Sequence, residues 1–239
     1  MRLLRLLLPL LAPLALAPNP AVAKPQPSAN QPDWNRVVVP SADGAHSFGS
    51  AMAATKVSVY VSYTCPHCAH FEQQGMNALM AGWVRPGKVN FTIRNLVRDR
   101  YDLTAALLAR CGGPNRFLGN HHALFAAQPE WFSRIQTYES QPATLPADAS
   151  QTDVLLDIAE RTGLNAMMMK RGFKPAQLRA CVTDKTSMTR VLAMTRDGID
   201  RVGVRGTPGF VINGKLTEAH DWDSLRPLLP GGGLPTNRT

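Results

Sequence analysis

Cys65 and Cys68 stand in the run Cys65-Pro66-His67-Cys68, while the chain's other two cysteines, Cys111 and Cys181, lie far from that pair and 70 positions from each other. The tight pair follows an apolar, Val- and Tyr-rich run over residues 56–63, which reads as a strand. Pro66 fits the first position of a helix, where its missing N–H costs nothing. Cys65 is therefore predicted at the positive end of a helix dipole, among unpaired N–H groups that stabilise a thiolate. Cys68, Phe71, Gly75, Leu79 and Trp83 recur at helical spacing, which places Cys68 on the inward face. One sulfur is presented for attack and the other is held behind it. His67 lies between them, where a polarised or protonated imidazole lowers the Cys65 pKa further, and a stabilised thiolate makes the disulfide a stronger oxidant. The competing metal reading is weaker, because zinc needs two more ligands, no second C-x-x-C exists, and His70 reads as a surface residue. Covalent haem attachment needs His directly after the second cysteine, where this chain has Ala69.

The chain has 239 residues, long for one minimal domain and short for two, so a single fold carrying an insertion is expected. With 44% hydrophobic and 18% charged residues it has the balance of a packed globule. Arg2 and Arg5, the apolar stretch 6–17 and the A-x-A site Ala21-Val22-Ala23 read as an export signal over residues 1–23, cleaved after Ala23. Ala15-Leu16-Ala17 is a competing site disfavoured by Pro18, and an uncleaved anchor is the minor alternative. Without those two arginines the net charge falls from +9 to +7. The positive residues are scattered, with no basic block and no aromatic-basic motif, which argues against nucleic acid as a partner. Export implies an oxidising compartment, where paired cysteines tend to be disulfides.

Residues 24–33 form a Pro/Asn/Gln linker. Strands are predicted over 36–39, 56–63 and 89–96, with a helix over 66–83 and a turn-rich Gly/Ser/Ala segment between the first two strands. Residues 99–200 read as helices broken at Gly112-Gly113-Pro114, Pro129, 141–146 and Gly163. Phe210-Val211-Ile212 returns to strand, Asn213-Gly214 is a strong hairpin signal, and a helix over 221–229 leads into a flexible tail, 230–239. The pattern is that of an α/β sheet interrupted by a helical insertion.

The segments Val57-Ser58-Val59-Tyr60-Val61-Ser62-Tyr63-Thr64-Cys65-Pro66-His67-Cys68-Ala69-His70-Phe71 and Gly203-Val204-Arg205-Gly206-Thr207-Pro208-Gly209-Phe210-Val211-Ile212-Asn213-Gly214 closely resemble the DsbA-like periplasmic thiol-disulfide oxidoreductases of the thioredoxin superfamily. The resemblance covers residues 37–229. It implies a thioredoxin fold, at 34–98 and 201–229, with a helical domain inserted at 99–200. It also implies a periplasmic location and a cis Thr207-Pro208 peptide facing the cysteines, where the Thr207 backbone pairs with an extended substrate strand. The implied activity is disulfide donation to unfolded, newly exported polypeptides through a mixed disulfide at Cys65. Reoxidation then falls to a quinone-linked membrane partner of the DsbB type, and no soluble cofactor is required. A disulfide isomerase or reductase is the rival within the class. Family isomerases usually carry a separate N-terminal dimerisation domain, for which only residues 24–50 are available here. A peptide-binding chaperone with incidental cysteines is the rival outside it.

Family oxidases commonly carry a buried acid six positions before the first cysteine, where this chain has Val59. Glu72, one turn after Cys68, is a candidate substitute, against the ordinary reading of a solvated surface Glu. For Cys111 and Cys181 a structural disulfide is favoured over two buried thiols, as some members of the resembled family carry one in this domain. His121-His122 read as diverging helix neighbours without a metal set, and Met76, Met80 and Met167-Met168-Met169 as core or surface methionines.

Overall fold

The computed structural model describes residues 32–141 and 145–232. The export signal, linker positions 24–31, break residues 142–144 and tail residues 233–239 lie outside the described residues. Among the described residues no helix is long and apolar enough to cross a membrane.

The Val-rich run before the cysteines becomes β3 (Thr55–Val61), the strand around which the sheet is organised. It pairs in parallel with β4 (Val89–Asn95), and on its other side antiparallel with β5 (Gly209–Ile212). Outer strands β1 (Val38–Pro40), β2 (His46–Phe48) and β6 (Lys215–Leu216) complete the order β1-β2-β4-β3-β5-β6. Parallel pairing of β3 and β4 demands a crossover. The helical run from Pro66 to Val84 supplies it as α1 (Pro66–Phe71), a π turn (Glu72–Met76), α2 (Asn77–Leu79) and a second π turn (Met80–Val84). Gly75 lies on its buried face because Trp222 packs there: a Cβ would come within 2.9 Å of both Phe71 and Trp222.

The predicted helical stretch resolves into α3 (Arg100–Ala109), α4 (Pro114–Ala126), α5 (Gln128–Ser140), α6 (Gln151–Arg161), α7 (Leu164–Lys170), α8 (Pro175–Val182) and α9 (Lys185–Asp197). These helices share one hydrophobic core with the sheet, from Val57, Val59, Phe91 and Phe210 to Leu107, Phe117, Leu155 and Met168. The chain then re-enters the sheet at β5, and Asn213 (φ 48°) and Gly214 (φ 81°) form the tight turn into β6. Both positive φ values match the demand of a two-residue hairpin turn. The final helix is shorter than predicted, α10 (Trp222–Leu225) followed by a 3-10 turn (Arg226–Leu228), and Pro230 at the start of the tail accepts the Trp83 indole N–H at 3.0 Å. The turn-rich segment before β3 holds a strand, β2, that was not predicted. It spans only three residues, and His46 is buried in it by stacking on Phe117, ring centroids 3.6 Å apart.

Cys111 lies two positions past the end of α3, Cys181 lies on α8, and the two form a disulfide with Cα atoms 5.6 Å apart. Closing a loop of this separation restricts the unfolded chain by about 4 kcal/mol in the chain-entropy treatment, an upper figure. Replacing both cysteines by Ala is expected to lower the unfolding free energy by up to that amount, measured by denaturant titration. An unchanged midpoint would show that the bond does not constrain the unfolded chain.

Candidate active site

β3 ends at Val61, and residues 62–64 carry the chain to Cys65, which is the N-cap of α1 with extended backbone and no side-chain capping bond. Pro66 takes the first helical position as predicted. The β3–β5 register sets Tyr60 opposite Gly209, so the residues just before β5 arrive beside the end of β3. There the Thr207-Pro208 peptide is cis, and the Cys65 thiol donates to the Thr207 carbonyl at 3.1 Å.

Cys65 and Cys68 are free thiols, and both are buried, 3% and 1% exposed. Cys65 is thus more covered than expected, with Thr207 against its sulfur. The two sulfurs have opposite acidities. Cys65 is lowered from 9.0 to about 5: the Cys68 thiol donates to its sulfur, and the Thr207 side chain and the N–H groups of Cys68 and His67 outweigh the cost of burial. Burial, joined by that same donation, pushes Cys68 well above 9.0. His67 acts here through its backbone N–H, while its side chain is exposed. Beside Thr207 and Pro208 a groove of about 540 Å³ is lined by Val204, Arg205, Leu216, Glu218 and His220.

Residues 62–65 are gripped by the helical segment. Asp102 on α3 accepts the Tyr63 N–H at 2.7 Å, and Gln128 at the start of α5 donates to the carbonyls of Tyr63 (2.7 Å) and Cys65 (3.1 Å). The Tyr63 hydroxyl pairs with His121 Nδ1 on α4 at 2.9 Å. Thr64 donates its hydroxyl to Asp99, the N-cap of α3, at 2.7 Å.

Glu72 is not a solvated surface residue. It is 8% exposed, its Oε2 lies 3.3 Å from His121 Nε2, and its Oε1 pairs with His122 Nδ1. The reading of His121 and His122 as diverging neighbours is corrected with it: a carboxylate has two oxygens, and one histidine reaches each. Burial alone raises the Glu72 carboxyl, but the histidines overcome this and hold it near 2.

Asp99, Asp102 and Gln128 were not picked out from the sequence. The available signal was a single acid, Asp102, within a helix whose other residues from 101 to 109 are apolar or small enough to be buried all round. Such an acid needs partners.

The sequence matches the thioredoxin family profile over residues 41–230. A protein-disulfide isomerase from Novosphingobium aromaticivorans is 34% identical, superposes with a TM-score of 0.70, and matches over 78% of this chain and 95% of its own. The chain belongs to the thioredoxin family. Wolbachia pipientis α-DsbA1 shares the fold at 19% identity and a TM-score of 0.59, over 76% of this chain and 87% of its own. Proteins named as protein-disulfide oxidoreductases in Rickettsia typhi and Rickettsia prowazekii are each 26% identical over 178 residues, 74% of this chain. The chain spans 57% of the length of these curated relatives.

Because the Glu72 carboxyl is held below its unfolded value of 4.5, its contribution to stability is present above that pH and is lost as pH falls toward 2. Glu72→Gln is expected to unfold at a lower temperature at neutral pH and to lack this part of the acid limb. A variant that follows the parent's pH profile of melting temperature would show that the histidine contacts contribute nothing.

Proposed function

We propose that this chain is an exported, periplasmic thiol-disulfide oxidoreductase that donates the Cys65–Cys68 disulfide to newly exported polypeptides. The observation that carries this reading is the opposed acidity of the two sulfurs beside a cis Thr207-Pro208 peptide. A client thiolate attacks Cys65 Sγ, the Cys65–Cys68 bond breaks, and Cys68 leaves as the inner thiol. A second client thiolate attacks the client sulfur of the mixed disulfide, and Cys65 departs as a stable thiolate. The client strand lies along the 203–208 groove, where Thr207 and Pro208 position it. In the thiol form Cys65 occupies the Thr207 carbonyl, and loss of its proton leaves that acceptor for a client N–H. Reoxidation is assigned to a membrane partner of the DsbB type.

The acidity of Cys65 supports the oxidase direction. A thiol lowered to about 5 stabilises the reduced protein increasingly as pH rises from 5 to 9, by about 2 to 3 kcal/mol at pH 7. This makes the disulfide more oxidising by about 60 mV than an unperturbed pair. The name of the Novosphingobium relative favours isomerisation as a second reading, in which the same nucleophile is kept reduced.

Equilibration of the pair with glutathione buffers is expected to give a potential well above the roughly −270 mV of a thioredoxin. In parallel, Cys68→Ser is expected to trap a mixed disulfide with a cysteine peptide supplied as its disulfide, whose other half leaves as a thiolate, and Cys65→Ser to trap none. A thioredoxin-like potential would defeat the oxidase reading. Refolding of a scrambled disulfide protein faster than oxidation of a reduced one would favour the isomerase.

A further inference from the structure

Cys65 follows β3, the strand that has β5 on one side and β4 on the other. The 203–208 groove belongs to the β5 side. β4 runs parallel to β3 with Val61 opposite Asn95, so the segment leaving β4 emerges at the same end of the sheet as the segment that carries Cys65. The two segments are joined, because the Thr64 hydroxyl donates to the Asp99 carboxylate at 2.7 Å. On the β4 side lies a second groove, of about 400 Å³, and Asp99 forms part of its wall.

The lining of this groove is largely apolar. Leu103 on α3 and Leu155 on α6 are buried in it, while Val97 after β4, Val154 on α6 and Leu192 on α9 are half-buried. A partner's apolar side chain placed among them leaves water, which is the main source of affinity at such a surface.

Three charged residues stand at the groove, Arg98, Asp99 and Arg100, and two of them are already engaged. The Asp99 carboxylate accepts the Thr64 hydroxyl and the Asp102 N–H, the latter at 2.8 Å. Arg100 donates to Glu139 at 2.7 Å and to the Tyr101 hydroxyl at 3.0 Å. Arg98 is exposed, and its guanidinium has no hydrogen bond or ion pair among the described residues. The groove therefore offers an apolar lining and one uncommitted positive charge, two residues' width from the reacting sulfur.

Resting on the reading of Cys65–Cys68 as the pair that oxidises clients, we propose that this groove is a second client subsite, which takes an apolar side chain accompanied by an acid. A client whose sulfur meets Cys65 crosses the end of the sheet. One arm of its chain lies in the 203–208 groove, and the other continues past Thr64 and Asp99 into this one. An extended chain advances about 3.3 Å per residue, so the apolar residue stands roughly two to five positions from the client cysteine. Its acidic neighbour pairs with Arg98. The subsite makes the protein selective for cysteines in apolar and acidic surroundings, a choice the 203–208 groove does not make, since Arg205, Glu218 and His220 line that one together.

The test is the rate at which an excess of reduced single-cysteine peptide reduces the oxidised protein, followed by stopped flow. One peptide is built of Ser and Gly around its cysteine; a second carries Leu and Asp at the stated positions after the cysteine, a third carries them before it, and two more have Lys in place of Asp. Rates are expressed per peptide thiolate, because a neighbouring charge shifts the peptide thiol itself. One of the two Leu–Asp peptides is expected to react about tenfold faster than the Ser–Gly peptide, the effect of burying one apolar side chain beside an exposed ion pair. Leu192→Glu is expected to bring that ratio to about one, and Arg98→Glu to make the matching Lys peptide faster than the Asp peptide. Damage to the reacting pair slows all peptides alike and leaves the ratios in place. Equal rates in the parent, or ratios that survive both substitutions, overturn the proposal. If Leu192→Glu does not fold, Arg98→Glu decides alone. A parent that sediments as a dimer, with Leu192→Glu a monomer and all peptide ratios near one, would assign the groove to a second copy of this chain and likewise overturn it. A parent that no peptide reduces would instead defeat the oxidoreductase reading.

Discussion

Tyr63 donates its amide N–H to Asp102, accepts at its carbonyl from Gln128 and pairs through its hydroxyl with His121, and those partners come from α3, α5 and α4. Each bond is worth only about 1 kcal/mol net, but losing a partner leaves a buried polar group that costs about 1 to 3 kcal/mol. The helices between β4 and β5 are therefore bound to the two residues before Cys65 by groups that have nowhere else to go. Gln128 extends the grip to the Cys65 carbonyl itself. The helical segment is in this sense part of the site.

From that fixed point the difference between the sulfurs follows. Cys65 caps α1 and collects N–H groups, whereas Cys68, one turn on, faces the core with Phe71, Gly75 and Leu79. Three positions along a helix turn two identical side chains into an acidic thiol and a basic one. The cis Thr207-Pro208 peptide reaches Cys65 because β5 pairs antiparallel with β3 in a register that brings Gly209 to Tyr60.

Much of this was legible in the sequence. The strand before Cys65, the helix opened by Pro66, the inward face of Cys68 and the Asn213-Gly214 turn all rest on local rules of spacing and backbone geometry. Thr207-Pro208 came from family resemblance, since nothing local distinguishes it from an ordinary turn. What escaped was carried by contacts distant in sequence. Gln128 lies 63 positions from Cys65, and Asp102 lies 39 from Tyr63. Glu72 and the His121-His122 pair were each noticed, yet 50 residues separate Glu72 from His122 and only the packing of α4 joins them. Val59, where the resembled family commonly carries an acid, is fully buried in the sheet between Ile93 and Phe210.

The central claim is that the fold makes one cysteine of the pair acidic and the other basic. Titration of the reduced protein by thiolate ultraviolet absorbance, with the Cys65→Ser variant alongside, tests it most directly. The account requires one thiolate with a midpoint near 5, absent from the variant, and no Cys68 ionisation until well above 9. Two thiols titrating together near 9, or an acidic thiolate that survives in Cys65→Ser, would contradict it.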